Sequence, residues 1–136
     1  MMDLMASESR HLSLSIDRRL DEVYSYLSNP ANLPEWAPGL CRSVAQVDGQ
    51  WVAESPMGRI VLAFAPRNDF GVLDHEVTVA SGETFYNPLR VIADGHGCEV
   101  VFTVRRLAGM GDQDFARDLE AVSADLTRLK GILERA

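Results

Sequence analysis

A chain of 136 residues is long enough to bury a core as one domain without disulfides or a structural metal. Thirteen basic against twenty acidic residues leave a formal charge of −7, which argues against nucleic acid or an anionic membrane surface as a partner. The composition is ordinary for a soluble globular domain, and no apolar run has the length of a membrane span.

Residues 1–10 carry Asp3 and Glu8 and lack both a basic start and an apolar core. They are no signal peptide, and the expectation is a disordered tail before one domain over 11–136 of a cytoplasmic protein. Leu12, Leu14 and Ile16 then alternate with polar residues, the period of a half-buried strand. Asp17 is placed to cap a helix with Leu20, Val23, Tyr24 and Leu27 on one face, and Pro30 stops it. A second short helical turn follows, opened by Asn32 and Pro34, carrying Trp36 and closed by Pro38-Gly39.

From Cys41 the turn signals come at short, regular intervals. Asp48-Gly49, Pro56-Met57-Gly58, Pro66 to Asp69, Ser81-Gly82 and Asp94-Gly95-His96-Gly97 divide this stretch into six strands. They run Cys41 to Val47, Gln50 to Glu54, Arg59 to Ala65, Phe70 to Val79, Glu83 to Ala93 and Cys98 to Arg106. Gly109 and Gly111 then break the chain. From Asp112 to Glu134, Phe115, Leu119, Val122, Leu126, Leu129 and Leu133 recur at steps of four and three, one apolar stripe on a helix about 34 Å long. Its other face is charged, so the helix must lie against something. The prediction is an α+β fold in which a curved, seven-stranded antiparallel sheet wraps the long C-terminal helix, with two short helices between strands one and two.

That order of elements, the turn Asn29-Pro30 leading to Leu33-Pro34-Glu35-Trp36, and the run Phe70-Gly71-Val72-Leu73-Asp74-His75 resemble the START and birch-pollen-allergen (SRPBCC) superfamily. Tyr86-Asn87-Pro88-Leu89-Arg90-Val91 and Glu99-Val100-Val101-Phe102-Thr103 are similar to its bacterial polyketide cyclase/dehydrase-like branch. The resemblance covers the chain from about His11 to Glu134 and implies a helix-grip fold with a cavity between sheet and helix. Members bind lipids, sterols, flavonoids, polyketides or hormones, and some cyclise aromatic polyketides. The resemblance says much about shape and little about chemistry.

Strand parity suggests which residues line that cavity. Around His75 the inward set is Leu73, His75, Val77 and Val79, with Asp74, Glu76 and Thr78 toward solvent. In the last strand Val100, Phe102 and Val104 point in, and Glu99, Val101, Thr103 and Arg105 out. Between Arg59 and Ala65 either alternate set can be inward. Pro88 implies an edge or bulge that changes the parity of its strand part-way. His75 has two readings, a donor or general acid/base facing a ligand, or a neutral core histidine bonded to a neighbouring carbonyl or hydroxyl. Tyr86 and Asn87 are the next candidates, one of them facing the cavity, with a turn or edge role as the equal alternative for Asn87, and Tyr86 joins His75 as a possible proton carrier. Trp36 as a gate, Trp51 on the wall, and Phe115 and Leu119 on the long helix complete the candidate lining, each with core packing as its alternative.

Metal, nucleophile and phosphate chemistry find no motif. His11, His75 and His96 lie on separate elements, Cys41 and Cys98 have no activating histidine at readable spacing, and Pro56-Met57-Gly58-Arg59 lacks the Gly-Lys pair of a phosphate loop. No cofactor is expected. Three functions compete: a carrier or sensor of a small hydrophobic molecule, an enzyme of the cyclase/dehydrase kind, and a protein-binding module with a filled cavity. A homodimer is compatible with each.

Overall fold

The structure is a computed structural model that describes residues 8–135. Eight strands and three α-helices follow one another in the predicted order. β1 (Ser9–Ile16) leads into α1 (Leu20–Leu27), a 3₁₀ turn (Pro30–Asn32) and α2 (Leu33–Trp36). Then come β2 (Ser43–Val47), β3 (Gln50–Ser55), β4 (Gly58–Phe64), β5 (His75–Thr78), β6 (Thr84–Asn87), β7 (Leu89–Asp94) and β8 (Gly97–Arg105), and the long helix α3 (Asp112–Arg135).

Every pairing is antiparallel, but the strands form two sheets and neither has seven of them. One has the order β1-β8-β7 and the other β2-β3-β4-β5-β6. The strand predicted over Glu83 to Ala93 is divided at Pro88, which has no N–H to continue a ladder. Its first half pairs with β5 and its second with β8, so this one bent segment passes from one sheet to the other. The carbonyl of Pro88 accepts from the Thr103 amide at 3.1 Å, which fixes the bend against β8.

The strand predicted from Phe70 begins only at His75. Residues 66–72 instead form a loop around the Asn68 side chain. Its Oδ1 accepts from the amides of Phe70 and Val72, and its Nδ2 donates to the carbonyls of Pro66 and Val72. Gly71, at φ +71°, lets this loop approach β7, where the Val91 amide donates to its carbonyl. Asp17 does not cap α1. The N-cap is Arg19 in extended conformation, and Asp21 and Glu22 in the first turn complement the helix dipole instead. The Asp17 amide donates to the carboxylate of Glu134 at the far end of α3.

Ser9 and Arg10, read from the sequence as tail, are paired with Arg105 and Val104. Glu8 just before them pairs with Arg10 and Arg106, and residues 1–7 of that tail lie outside the described residues.

Ile16, Leu27, Leu33, Leu89, Val100 and Leu129 are among the side chains closed off almost completely. Four residues of the predicted stripe on α3 are buried: Phe115, Leu126, Leu129 and Leu133. Each buried leucine contributes about 2 kcal/mol of apolar burial. Leu119 and Val122, in the middle of the stripe, are only half-buried. α3 packs mainly on β1, less on β8 and α2, and makes no comparable approach to the five-stranded sheet.

Candidate functional site

The register of the five-stranded sheet determines which side chains stand on its inner face. Leu62 is partnered by Trp51 and Val77, and Val77 by Phe85; in the next row Phe64 is partnered by His75, and His75 by Asn87. Of the two sets left open between Arg59 and Ala65, the inward one is therefore Ile60, Leu62 and Phe64, with Ile60 and Leu62 fully buried. Trp51, Phe64, Phe85 and Asn87 are half-buried although they face the helix side. A sheet face close-packed by a helix would leave such residues little exposure. Here they border open space, consistent with α3 lying over the other sheet.

His75 lies deepest among these polar groups, at 4% exposure. Its ring stacks on Phe64 at 4.7 Å between centroids and meets Phe102 edge-on at 6.1 Å. Nδ1 lies 3.1 Å from the Leu73 carbonyl oxygen. A carbonyl can only accept, so Nδ1 carries the proton and donates. Burial pushes the imidazole below its ordinary value, which keeps the ring neutral and leaves Nε2 as a lone-pair acceptor. Among the described residues Nε2 has no hydrogen-bond partner, yet no fully buried side-chain nitrogen or oxygen lacks one. The sliver of the ring that remains exposed therefore includes Nε2.

Beside Phe64 a pocket of about 290 Å³ runs along Ser28 and Pro30 at the end of α1, the turn at Gly49 and Gln50, Trp51, and β4 from Val61 to Phe64. That is the scale of a small organic ligand. His75 and Asn87 are not in the pocket's wall, and His75 meets it only across the Phe64 ring. A larger groove of about 470 Å³ lies at the opposite end, between Leu107 to Met110 and the first turns of α3 at Asp114 and Asp118. Its wall combines the apolar Leu107 and Met110 with the charged Asp114, Arg117 and Asp118.

Among the other candidates, Leu73 and Val77 are buried beside His75, and Leu73 supplies the carbonyl that orients it. Trp36 is buried in the core, and its carbonyl accepts from Arg128, which ties α2 to α3. Phe115 is buried under the guanidinium groups of Arg10 and Arg106, 5.8 and 5.7 Å from its ring centre. Tyr86 is separated from His75. It alternates with Phe85 and Asn87 along β6, stands on the outer face, and is 51% exposed.

On that outer face the parity reading of Asp74 as a solvent residue is overturned, because its carboxylate is 4% exposed. It accepts four hydrogen bonds, from the Tyr86 hydroxyl, the Leu89 amide, and Nε and Nη2 of Arg90. The Arg90 guanidinium holds the Asp74 carboxyl well below the usual carboxylate range, with smaller help from Tyr86 and the Leu89 amide. The same carboxylate pushes the Tyr86 phenol up. His75 and Tyr86, the two candidate proton carriers, thus lie on opposite faces of the sheet. Thr103, also expected outside, is buried under His11, whose Nδ1 is 2.8 Å from its hydroxyl. Partners twelve or more residues away cover Asp74 and Thr103, and local alternation carries no signal of them.

Among the described residues no group of three ligating side chains converges as a metal site. No described helix is long and apolar enough to cross a membrane.

No family model matches the chain, and no curated protein matches it. Solved structures do. The Aha1 dimer from Colwellia psychrerythraea aligns at TM-score 0.74 and 14% identity over 93% of this chain and 96% of its own. Ara h 8.0201 aligns at TM-score 0.68 and 8% identity over 96% of this chain and all of its own. DynU16, a protein of the dynemicin biosynthetic locus, aligns at TM-score 0.70 and 12% identity over 95% of this chain, which spans 48% of DynU16. The chain is therefore a helix-grip protein. In fold, these neighbours bear out the resemblance to the START and birch-pollen-allergen superfamily.

Proposed function

We propose that the protein binds a small, mostly apolar molecule on the inner face of the five-stranded sheet, in the pocket that ends at Phe64 and extending past that ring to His75. One observation carries this reading: a neutral, buried histidine with an unshared acceptor atom, set among half-exposed aromatic rings. Nothing in the fold needs Nε2, and water alone is a poor partner in an apolar wall. A hydroxyl or N–H of a ligand would satisfy the acceptor while the rings take its apolar body. Similarity in fold to Ara h 8.0201 and DynU16 is compatible with this reading.

The test is native mass spectrometry of the protein purified from its own host, with solvent extraction and identification of what is released. A stoichiometric apolar molecule is expected from the parent. Ser28→Phe, which crowds the pocket from the end of α1, should lose that molecule while melting within a few degrees of the parent. A parent that carries nothing and takes up no apolar probe would sink the proposal. The two cysteines, both free and buried, suit a reducing compartment such as the cytoplasm.

A further inference from the structure

The polar groups of the inner face come as a pair. Asn87 is the register partner of His75 in the β5–β6 ladder, and register partners present their side chains on one face, Cβ atoms about 5 Å apart. Asn87 is half-buried, and among the described residues its carboxamide has no hydrogen-bond partner. It therefore offers two N–H donors on the same face, and in the same row, as an atom that can only accept. The residues flanking the pair, Phe64, Val77, Phe85 and Phe102, are apolar. The nearest ion pair, Asp74 with Arg90, is on the other face and already satisfied.

We infer that His75 and Asn87 form a two-point recognition element for an uncharged ligand with a hydrogen-bond donor directly beside a carbonyl, as along the edge of a lactam. This rests on the ligand-binding reading above and narrows it. The donor is accepted by Nε2 of His75, and the carbonyl accepts from Nδ2 of Asn87. The same pair rejects carboxylates. A carboxylate oxygen would face the Nε2 lone pair, the inner face supplies no cation to offset it, and the whole chain is at −7. An O-alkylated edge, which sets a ring-nitrogen lone pair where the N–H was, would leave Nε2 unpaired.

Three bicyclic probes of nearly equal size separate the possibilities by isothermal titration calorimetry at pH 7.5. They are 2-quinolone, which carries the N–H/C=O edge, 2-methoxyquinoline, which lacks the donor, and quinoline-2-carboxylate, which is anionic. Binding of 2-quinolone is expected to be about tenfold or more tighter than that of 2-methoxyquinoline, with the carboxylate weakest. Asn87→Leu should erase the quinolone's advantage over 2-methoxyquinoline. Asn87→Asp, nearly isosteric, should erase it too and serves if the leucine variant does not fold. Equal binding of the two neutral probes to the parent, or a preference for the carboxylate, would overturn the recognition element and leave apolar binding standing. If neither neutral probe binds, the recognition element is overturned, and the native mass spectrum of the parent decides the ligand-binding reading by itself.

Discussion

Replacing Asp74 by asparagine removes one charge and turns one of two accepting oxygens into a donor, at a point where β5, β6 and β7 are joined. Oδ1 accepts from the Leu89 amide and Arg90 Nε, both at 2.9 Å, and Oδ2 from the Tyr86 hydroxyl and Arg90 Nη2, the latter at 2.7 Å. Leu89 is fully buried, so the asparagine will keep its oxygen toward that amide and set its NH₂ against Nη2, donor facing donor. Loss of hydrogen bonds between ionised groups at a buried carboxylate is of order 1.5–3 kcal/mol. Arg90 is 49% exposed and can turn to water, which places the expected loss near the lower end, about 2 kcal/mol. For a chain of this size that lowers the melting temperature by about 5–8 °C.

The loss should also depend on pH. The Asp74 carboxyl is held below its ordinary 3.8, so in acid the unfolded chain takes up a proton that the native protein excludes. Its contribution is therefore complete above about pH 5 and declines as pH falls past 3.8. Urea unfolding of parent and variant at pH 7 and again near pH 3 measures both effects. The gap between the two proteins should be open at neutral pH and narrow in acid. A difference under about 0.5 kcal/mol at pH 7, or a gap that acid leaves unchanged, would refute the reasoning that this network fastens the two sheets together.

His75→Phe tests the neutral histidine. Burial lowers the imidazole below its ordinary 6.5, so as pH falls from 7 to 5.5 the unfolded chain gains a proton that the folded one resists, and the parent loses stability. The variant should lack that slope and gain on the parent by up to about 1.4 kcal/mol at pH 5.5; parallel melting curves across this range would mean the ring is not buried as described. Gly71→Ala would place a Cβ 2.2 Å from the Val91 carbonyl oxygen at a φ of +71°, breaking the contact of the Asn68 loop with β7. About 3 kcal/mol or more should be lost, against about 1 kcal/mol for Gly95→Ala, whose Cβ meets only open space. Equal losses in urea would show that backbone conformation alone sets both.

The course of the chain was legible from short-range chemistry. Alternation identified β1, the Asp48-Gly49 pair located the β2–β3 hairpin, and the four-and-three spacing from Phe115 to Leu133 gave α3 almost to the residue. These signals are local, because side-chain period and turn geometry are properties of a few neighbouring residues. The inward parity of Leu73, His75 and Val77 was legible for the same reason.

What tertiary structure decided was the pairing. The split into two sheets depends on which strand each half of the Pro88 segment meets, and no local period encodes that choice. Asp74 reads as a surface residue until Arg90, Tyr86 and Leu89 are brought over it, and Thr103 until His11 lies alongside. The candidate site is of the same kind. His75 and Asn87 become one polar pair because an antiparallel register sets them opposite each other, and a one-residue slip would put Tyr86 or Pro88 in the place of Asn87.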